Sequence, residues 1–346
     1  MRPNIFDYAT SELSQDAFLA WYCMWADEVM TDDMELHESA RAFLKKYIAI
    51  QQKDYHEEIR TISVKRQYKH IDVLVEINND LYVVIEDKVN TGPHSNQLER
   101  YADAINGRKV LLYVKTGDES QKRKKDVENK GYIVIDRVKL LNDLEKCKSA
   151  NEIFEDFVKR LRKIEEVTHT YRNSYVWNAT QVVGFYKDME QVLPNSNWRH
   201  VDNPNKGSFV LNWSWLQMPE CRIYLEFSFP SWCAADKKPY LPHFKLLVKI
   251  TADTEPEDRS EKHAMRLRLM YQHVNAFEKH ANGLLHRPKK LRTGRYMTIA
   301  EVGCAQLISD PASIDIKQIS ERLRPYEEIV RTYAEMQCRG GVVQSV

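Results

Sequence analysis

Two apolar runs separated by a short polar turn constrain the fold of this chain more than any other feature. Residues 71–101 read IDVLVEINNDLYVVIEDKVNTGPHSNQLERY. The triplet at 78–80 (NND) is a turn signal, so the run that contains Asp72 folds back beside the run that ends in residues 86–88 (EDK). The sequence therefore predicts a β-hairpin with several charged side chains near one edge of a sheet.

A helix and a further strand are predicted directly after this hairpin. Residues 95–106 have helical periodicity, with Ser95 as the cap, Gly107 at the end, and one face made of Leu98, Tyr101, Ala102 and Ile105. Residues 109–116 (KVLLYVKT) form the next apolar strand. The strand at 81–86, this helix and the strand at 109–115 make a crossover unit, which we expect to be right-handed with parallel strands.

Other segments of the first half complete an α/β domain. Thr10 or Ser11 caps a helix that runs to about Met30. A second helix is predicted from an apolar stripe at i, i+3, i+4, i+7 and i+8, formed by Ala40, Phe43, Leu44, Tyr47 and Ile48. Strands are predicted at 57–68 and 132–136, and a long helix at 151–167. The predicted class is α/β, with a mixed β-sheet flanked by helices.

The composition changes near residues 168–175, and five of the seven tryptophans lie beyond that point. We expect one domain at 1–168 and a second, α+β domain at 175–346. Its predicted strands lie at 208–216, 222–229, 243–250 and 296–302. Its predicted helices lie at 176–192, 258–281 and 315–336, and Pro325 is a candidate break in the last of them.

Composition excludes several classes of protein. Fifty-one basic residues against fifty acidic ones give a net charge of +1, so nucleic-acid binding would have to come from local patches. The six cysteines form no CxxC pair, which excludes zinc-finger spacing and a disulfide framework and favours a cytoplasmic location. The N-terminus lacks the apolar core of a signal peptide, and no run of about eighteen apolar residues predicts a membrane span.

The hairpin brings together residue types that suit a metal ion and a phosphate. Strand residues i and i+2 point to the same face, so Glu86 and Lys88 project together, and the turn places Asp72 beside them. Two carboxylates can hold a divalent cation next to a scissile phosphate, and the lysine lies on the same face. Each residue alone is also compatible with an ordinary polar position at the end of a strand.

Three motifs resemble those of the PD-(D/E)XK nuclease superfamily. Asp72, thirteen further residues and then Glu86-Asp87-Lys88 match its core pattern, although Ile71 stands where the proline of the name would be. Gln97-x-x-x-Tyr101 is similar to the extra motif of the RecB-type exonuclease branch. The segments SELSQDAFLAW and ELHESARAFL resemble the opening of a bacterial branch in which a helical glutamate precedes the strand aspartate. Glu12 is the matching position, and the resemblance covers roughly residues 8–140.

The resemblance implies a restriction-endonuclease-like core and a nuclease that cuts DNA with Mg²⁺, for which Mn²⁺ can substitute. Asp72 and Glu86 are the expected metal ligands, with the carbonyl of residue 87 and the carboxylate of Glu12 as further candidates. Lys88 would orient the attacking water, stabilise charge, or act as a base if its pKa is depressed. Gln97 would bind the substrate phosphate or orient Lys88. Tyr101 would contact the DNA or pack in the core.

Two basic runs are candidate contacts to nucleic acid. Lys122–Lys125 (KRKK) lies in the first domain, and the second run contains Lys289, Lys290, Arg292 and Arg295. Both are also compatible with solvated loops. Trp213 and Trp215, which alternation places on one strand face, form either a platform for bases or part of the core.

Three hypotheses of function follow from these patterns. The first is a Mg²⁺-dependent deoxyribonuclease in bacterial defence or DNA processing, whose second domain positions substrate or mediates assembly. Cutting both strands with one site per chain would favour a homodimer. The second is a catalytically silent module that retains the fold and binds nucleic acid or protein, although an intact Asp72, Glu86 and Lys88 speaks against it. The third is an assembly subunit with a protein partner.

Overall fold

A computed structural model describes residues 3–89, 91–92, 96–202 and 207–340 of the chain. Contacts between residues divide it into two compact units, Met1–Glu166 and Val167–Val346. Each unit is built around a five-stranded sheet.

The sheet of the first unit is mixed, and its strands follow chain order. β1 pairs with β2 and β2 with β3 in antiparallel fashion, whereas β3–β4 and β4–β5 are parallel. Asn78 and Asn79 take the left-handed backbone conformation in the β2–β3 turn, which asparagine tolerates well. The predicted hairpin and parallel crossover are thus confirmed. The strands are β1 (Ile62–Tyr68), β2 (Ile71–Ile77), β3 (Leu81–Lys88), β4 (Arg108–Lys115) and β5 (Ile133–Asp136).

Helices cover both faces of this sheet, and its alternating side chains belong to different apolar clusters. One cluster joins Val73, Val83 and Ile85 to aromatic residues of the first, second and sixth helices, while Leu74 and Val84 pack with the third. The helices are α1 (Glu12–Met24), α2 (Met34–Gln51), α3 (Gln97–Ala104), α4 (Gln121–Glu128), α5 (Arg137–Leu144) and α6 (Glu152–His169). Because both faces are covered, the last residues of β3 are buried whichever way they point.

The first unit differs from the predictions at the end of α1 and at the basic run 122–125. α1 ends at Met24, not near Met30. The basic run Lys122–Lys125 is not a loop but part of α4, where Ser120 caps the helix and Lys124 pairs with Asp136 at 2.6 Å. The cap predicted at Ser95 lies outside the described residues.

The sheet of the second unit is antiparallel throughout, in the order β10-β9-β8-β7-β6. All four predicted strands are present, together with β6, which the sequence patterns missed. The strands are β6 (Asn197–Val201), β7 (Ser208–Met218), β8 (Cys221–Pro230), β9 (Lys245–Ala252) and β10 (Met297–Gly303). The helices are α7 (Ala179–Val192), α8 (Ser231–Ala235), α9 (Arg259–His280) and α10 (Ile316–Gly340). α10 continues through Pro325, so the candidate break is wrong. The predicted class, an α/β unit with a mixed sheet beside an α+β unit, is confirmed.

The two neighbouring tryptophans of β7 lie on opposite faces of the sheet, which corrects the prediction from alternation. Trp213 pairs with Leu225 and Leu216 with Ile223, so two residues of β7 stand opposite Tyr224 alone. Ser214 in this bulge has a φ of 52°. The extra residue reverses the alternation, because a bulge shifts the side-chain register by one position. Trp213 is therefore in the core, whereas Trp215 stacks on Tyr224 with ring centroids 3.8 Å apart.

Among the helices of the described residues, none combines the length and the apolar character that crossing a bilayer requires.

The packing of α7 predicts the effect of adding one methyl group at Gly184. A Cβ at this position would lie 1.8 Å from the carbonyl oxygen of Thr168. Gly→Ala in a helix normally stabilises by about 1 kcal/mol, but here we expect Gly184→Ala to lower the free energy of unfolding by about 1–3 kcal/mol. Denaturation followed by tryptophan fluorescence measures this. Gly303→Ala is the matched control, because a Cβ there meets no described atom within 4 Å and should change stability by less than about 0.5 kcal/mol. Equal effects of the two variants would contradict the packing seen at Gly184.

Candidate active site

Two carboxylates face each other across the hairpin. The register pairs Val73 with Ile85, and one step further along the two strands Asp72 stands opposite Glu86. Glu86 is fully buried, and the side chain of Asp72 is 15% exposed. Like charges directly opposite each other in a sheet are destabilising. A pair of this kind therefore costs folding free energy.

Lys88 lies between these two carboxylates. Its Nζ is 2.5 Å from Glu86 Oε1 and 3.4 Å from Asp72 Oδ2, and it donates a hydrogen bond of 2.8 Å to the carbonyl oxygen of Asp87. A third carboxylate, that of Glu12, comes within 3.9 Å. The structure thus brings together the three residues of the core motif and the helical glutamate.

Hydrogen bonds from neighbouring residues fix both carboxylates. The backbone N–H of Asp87 donates to Asp72 Oδ2 at 2.9 Å, and Gln67 donates to Oδ1 at 3.3 Å. On the other carboxylate, Gln97 Nε2 donates to Glu86 Oε1 at 2.8 Å and also contacts the hydroxyl of Tyr101. The side chain of Gln97 therefore contacts Glu86, whereas the sequence motif predicted contact with the substrate phosphate or with Lys88.

Glu86 is the electrostatically strained member of the site. Burial raises the pKa of Glu86 to about 8, and the charge of Asp72 adds to the shift. Its Oε2 is buried and has no hydrogen-bond partner among the described residues. Burial opposes the charge on Lys88, but Glu86 and Asp72 outweigh it and raise the pKa of the lysine. The ammonium group of Lys88 thus interacts with both carboxylates. These contacts favour the protonated form of Lys88, so a role of Lys88 as a base is disfavoured.

Glu12 enters from the first turn of α1 and is held by the segment that follows β3. Its Oε1 accepts hydrogen bonds from the backbone N–H of Val89 at 3.2 Å and from the hydroxyl of Thr91 at 2.7 Å. Buried Lys115 fixes the same segment by donating to the carbonyl oxygens of Val89 at 3.0 Å and Thr91 at 2.6 Å. Lys115 therefore positions the residues that orient Glu12.

A second acidic pair, formed by Asp16 and Asp87, lies on the opposite face of the same strand end, and the sequence motifs assign no role to these two carboxylates. Asp87 is buried and accepts a hydrogen bond from Gln15, which in turn accepts one from Thr116. Asp16 lies one residue after Gln15. Burial raises the pKa of Asp16 to about 6, with a contribution from Asp72, and burial also raises the pKa of Asp87 well above its usual range.

A signal for these missed residues exists in the sequence. Glu12 and Asp16 are four residues apart, so they share one face of α1. β3 is a central strand with parallel pairing on one side, and such strands are buried on both faces, so Asp87 has to be buried as well. Both facts predict an acidic cluster larger than the three-residue motif.

The oxygen donors of this site fit a divalent cation that is bound through two carboxylates. Across the residues that the structure describes, no group of three or more His, Cys, Asp and Glu side chains has the arrangement of a metal site. Mg²⁺ commonly takes one or two carboxylates and keeps several waters. The buried Glu86 Oε2, which has no hydrogen-bond partner among the described residues, suits that mode. The roles of Glu12 and of the Asp87 carbonyl as further ligands stay predictions.

The remaining predicted site residues divide between the two units. Tyr101 is only 7% exposed and packs with Ile71, Leu74 and Ile105, so its position favours packing over contact with substrate. The other four residues belong to the second unit: Lys289, Lys290, Arg292 and Arg295. All four are exposed, and none of them forms an ion pair with another described residue.

The fold and the site together define a class of protein. A mixed sheet that brings together an aspartate, a glutamate and a lysine at the ends of two adjacent strands is the architecture of a restriction-endonuclease-like nuclease fold. A model of the PD-(D/E)XK nuclease superfamily matches residues 3–176, just over half of the chain. The chain therefore belongs to the PD-(D/E)XK nuclease superfamily, as the motifs implied. Comparison with curated proteins and with solved structures gives no match.

The strain at Glu86 predicts that a conservative change stabilises the fold. Glu86→Gln keeps an oxygen for Lys88 and Gln97, removes the carboxyl group whose ionisation is opposed by burial and by Asp72, and provides an amide that can donate to Asp72. We expect the free energy of unfolding in EDTA to rise by about 1–3 kcal/mol. Glu76→Gln is the matched control. Glu76 lies on the same face of β2 as Asp72 but, unlike Glu86, it is only half-buried, and it is paired with Lys65. A loss of stability in Glu86→Gln that exceeds the loss in the control would contradict the strain.

Proposed function

We propose that this chain is a Mg²⁺-dependent nuclease that hydrolyses phosphodiester bonds of DNA, with Mn²⁺ as a substitute. The observation that carries the proposal is the convergence of Asp72, Glu86 and Lys88, with a buried carboxylate oxygen that has no partner among the described residues. Membership of the nuclease superfamily supports the reaction class. We assign catalysis to residues 1–168 and an accessory role to residues 175–346.

Asp72 and Glu86 are the residues that would hold the cation. When bound, a divalent cation neutralises charge on the phosphate and lowers the pKa of a bound water. Asp72 is oriented for this role by the backbone N–H of Asp87, and Glu86 by Gln97. Lys88 offsets their mutual repulsion only in part, and a second positive charge bound by the two carboxylates would relieve it further.

Lys88 contributes a fixed positive charge at the same edge. The ammonium group is buried, and its distances of 2.5 Å and 3.4 Å to the two carboxylates hold it on the face where the phosphate would lie. An ammonium group in this position stabilises the negative charge that develops as the phosphodiester bond is attacked. Because the pKa of Lys88 is raised by its partners, we assign it charge stabilisation and orientation of water.

The other predicted residues have supporting roles. We propose that Glu12 completes the cation shell from α1 and that Gln97 positions Glu86. In the second unit we assign contact with the DNA backbone to exposed residues of one loop, Lys289, Lys290, Arg292 and Arg295. Cleavage of both strands would favour a homodimer, since the described residues of one chain form one such site. A role in bacterial defence or DNA processing is supported by the resemblance of the N-terminal motifs.

Cleavage assays with isosteric variants test the proposal. Asp72→Asn, Glu86→Gln and Lys88→Met should each lower the rate of plasmid and oligonucleotide cleavage in Mg²⁺ or Mn²⁺ by at least about a hundredfold. The first two variants each remove a proposed ligand of the cation, and the third removes the ammonium group that would stabilise charge on the phosphate. Glu76 lies on β2, like Asp72, but outside the site, so Glu76→Gln should retain the rate of the wild type. Equal rates in the wild type and all three site variants would refute the assignment.

Metal binding separates the nuclease from a silent module with the same fold. Mg²⁺ present at about a hundredfold excess over its Kd should stabilise the wild type by about 2.7 kcal/mol. Asp72→Asn should lose this stabilisation, and Glu76→Gln should keep it. Thermal denaturation with and without EDTA measures the difference. A protein whose stability is indifferent to Mg²⁺ and Mn²⁺ would support the silent module instead.

A further inference from the structure

The second sheet has an outer face that does not belong to the apolar core. Trp213, Leu225 and Val248 point into the core that α7, α9 and α10 cover. Along β8, the alternate positions Arg222 and Tyr224 point to the other face. Tyr224 is not a member of the apolar core cluster. It is nevertheless buried, because the indole of Trp215 covers it.

Aromatic rings form a row across this outer face. The rings of Trp215 and Tyr224 are parallel, with an interplanar angle of 11° and a centroid distance of 3.8 Å. Tyr296, just before β10, meets Tyr224 edge-on at 6.3 Å and is 38% exposed. A half-buried indole that already stacks on one ring is a surface of the kind on which nucleic-acid bases stack.

Arginines surround the aromatic row. The guanidinium of Arg222 lies 5.5 Å from the Trp215 ring, and that of Arg295 lies 5.6 Å from the Tyr296 ring. Arg222 is half exposed, and its ion pair with Asp253 is long, at 3.7 Å. Arg199 follows the core residue Trp198 along β6, so it points to the outer face, and its Nε is buried with no hydrogen-bond partner among the described residues. Buried polar groups of this kind are rare in native proteins and need a specific explanation.

The acidic groups of the same face do not cancel this charge. Glu226 is paired with Lys249 at 3.0 Å, and Glu301 with Lys245 at 2.7 Å. Asp253 is a third carboxylate of this face, and it lies 3.7 Å from Arg222. The arginines and the basic loop are therefore in excess. An aromatic row bordered by surplus positive charge complements a chain that exposes both bases and phosphates.

The bulge in β7 is the device that creates this row. Without the extra residue, Trp215 would point into the core beside Trp213. Ser214 adopts a φ of 52°, a conformation that non-glycine residues rarely take. Strained positions of this type are retained at functional sites, where the surrounding structure holds them.

We propose that the outer face of the second sheet binds single-stranded nucleic acid, with a base stacked on Trp215 and phosphates bound by Arg222, Arg295 and Arg199. Duplex is the poorer ligand, because its bases are already stacked on one another and cannot reach the indole. The inference goes beyond the proposed function, since this binding requires neither cleavage nor the site at Asp72 and Glu86.

Binding measured in EDTA tests this surface independently of cleavage. Full-length protein is titrated into a short fluorescein-labelled oligothymidylate and into a labelled duplex of equal length, and the anisotropy is followed. The wild type should prefer the single strand. Trp215→Ala should weaken single-strand binding about tenfold or more, which is the loss expected for one stacked base. Arg222→Gln should reduce the slope of log Kd against log salt by about one, as expected for the loss of one phosphate contact.

Two further variants keep the test decisive if Trp215→Ala fails to fold. Trp215→Phe retains an aromatic ring but removes the indole, so oligothymidylate should quench less tryptophan fluorescence than in the wild type. Trp232→Phe is the matched control, a half-buried tryptophan of the same unit that contacts His243, and it should leave both the quench and the Kd unchanged. A wild-type quench in Trp215→Phe together with a wild-type affinity and salt slope in Arg222→Gln would overturn the proposal and leave the face to a protein partner. Failure of cleavage in Mg²⁺ with Trp215-dependent binding intact would refute only the nuclease.

Discussion

The juxtaposition of Asp72 and Glu86 is the constraint on which the candidate active site depends. Two carboxylates stand opposite each other on antiparallel strands, and one of them is fully buried. A single ammonium group, that of Lys88, lies between them, and hydrogen bonds from Gln97 and a backbone N–H hold their geometry. Such an arrangement costs stability, since buried charges are compensated only in part. It becomes favourable when a further positive charge enters, which is the expectation for a cation site.

The topology of the sheet explains why three consecutive charged residues are buried together. β3 is central, with an antiparallel neighbour on one side and a parallel neighbour on the other, and helices cover both faces. Glu86 and Lys88 therefore face α3, while Asp87 faces α1 and meets Gln15. The backbone N–H of Asp87 also holds Asp72, so this residue links the two faces. The negative charge of Asp72 also acts through space on the acidic pair of the other face, because it contributes to the raised pKa of Asp16.

The core of the site was predictable because it depends on strict alternation and one turn. Asp72, Glu86 and Lys88 follow from the period of two and from the NND turn, and both hold in the structure. Asp16 and Asp87 were missed because a short motif does not show which helix packs behind a strand. α4 was missed for another reason, since its basic residues lack an apolar stripe. It is held by a Ser120 cap and the pair of Lys124 with Asp136.

Alternation failed at Trp215, and the failure has a physical cause in Ser214. Alternation with a period of two does not predict an inserted residue, because the side chains on either side of the bulge still alternate between the two faces. The sequence around 211–216 is uniformly suited to a strand, so only the backbone conformation reveals the bulge. Positions where local sequence rules fail in an otherwise consistent fold are the positions where function is expected. In this chain the failure places an indole beside arginines on the outer face of the sheet, where packing of the core alone would not have placed it.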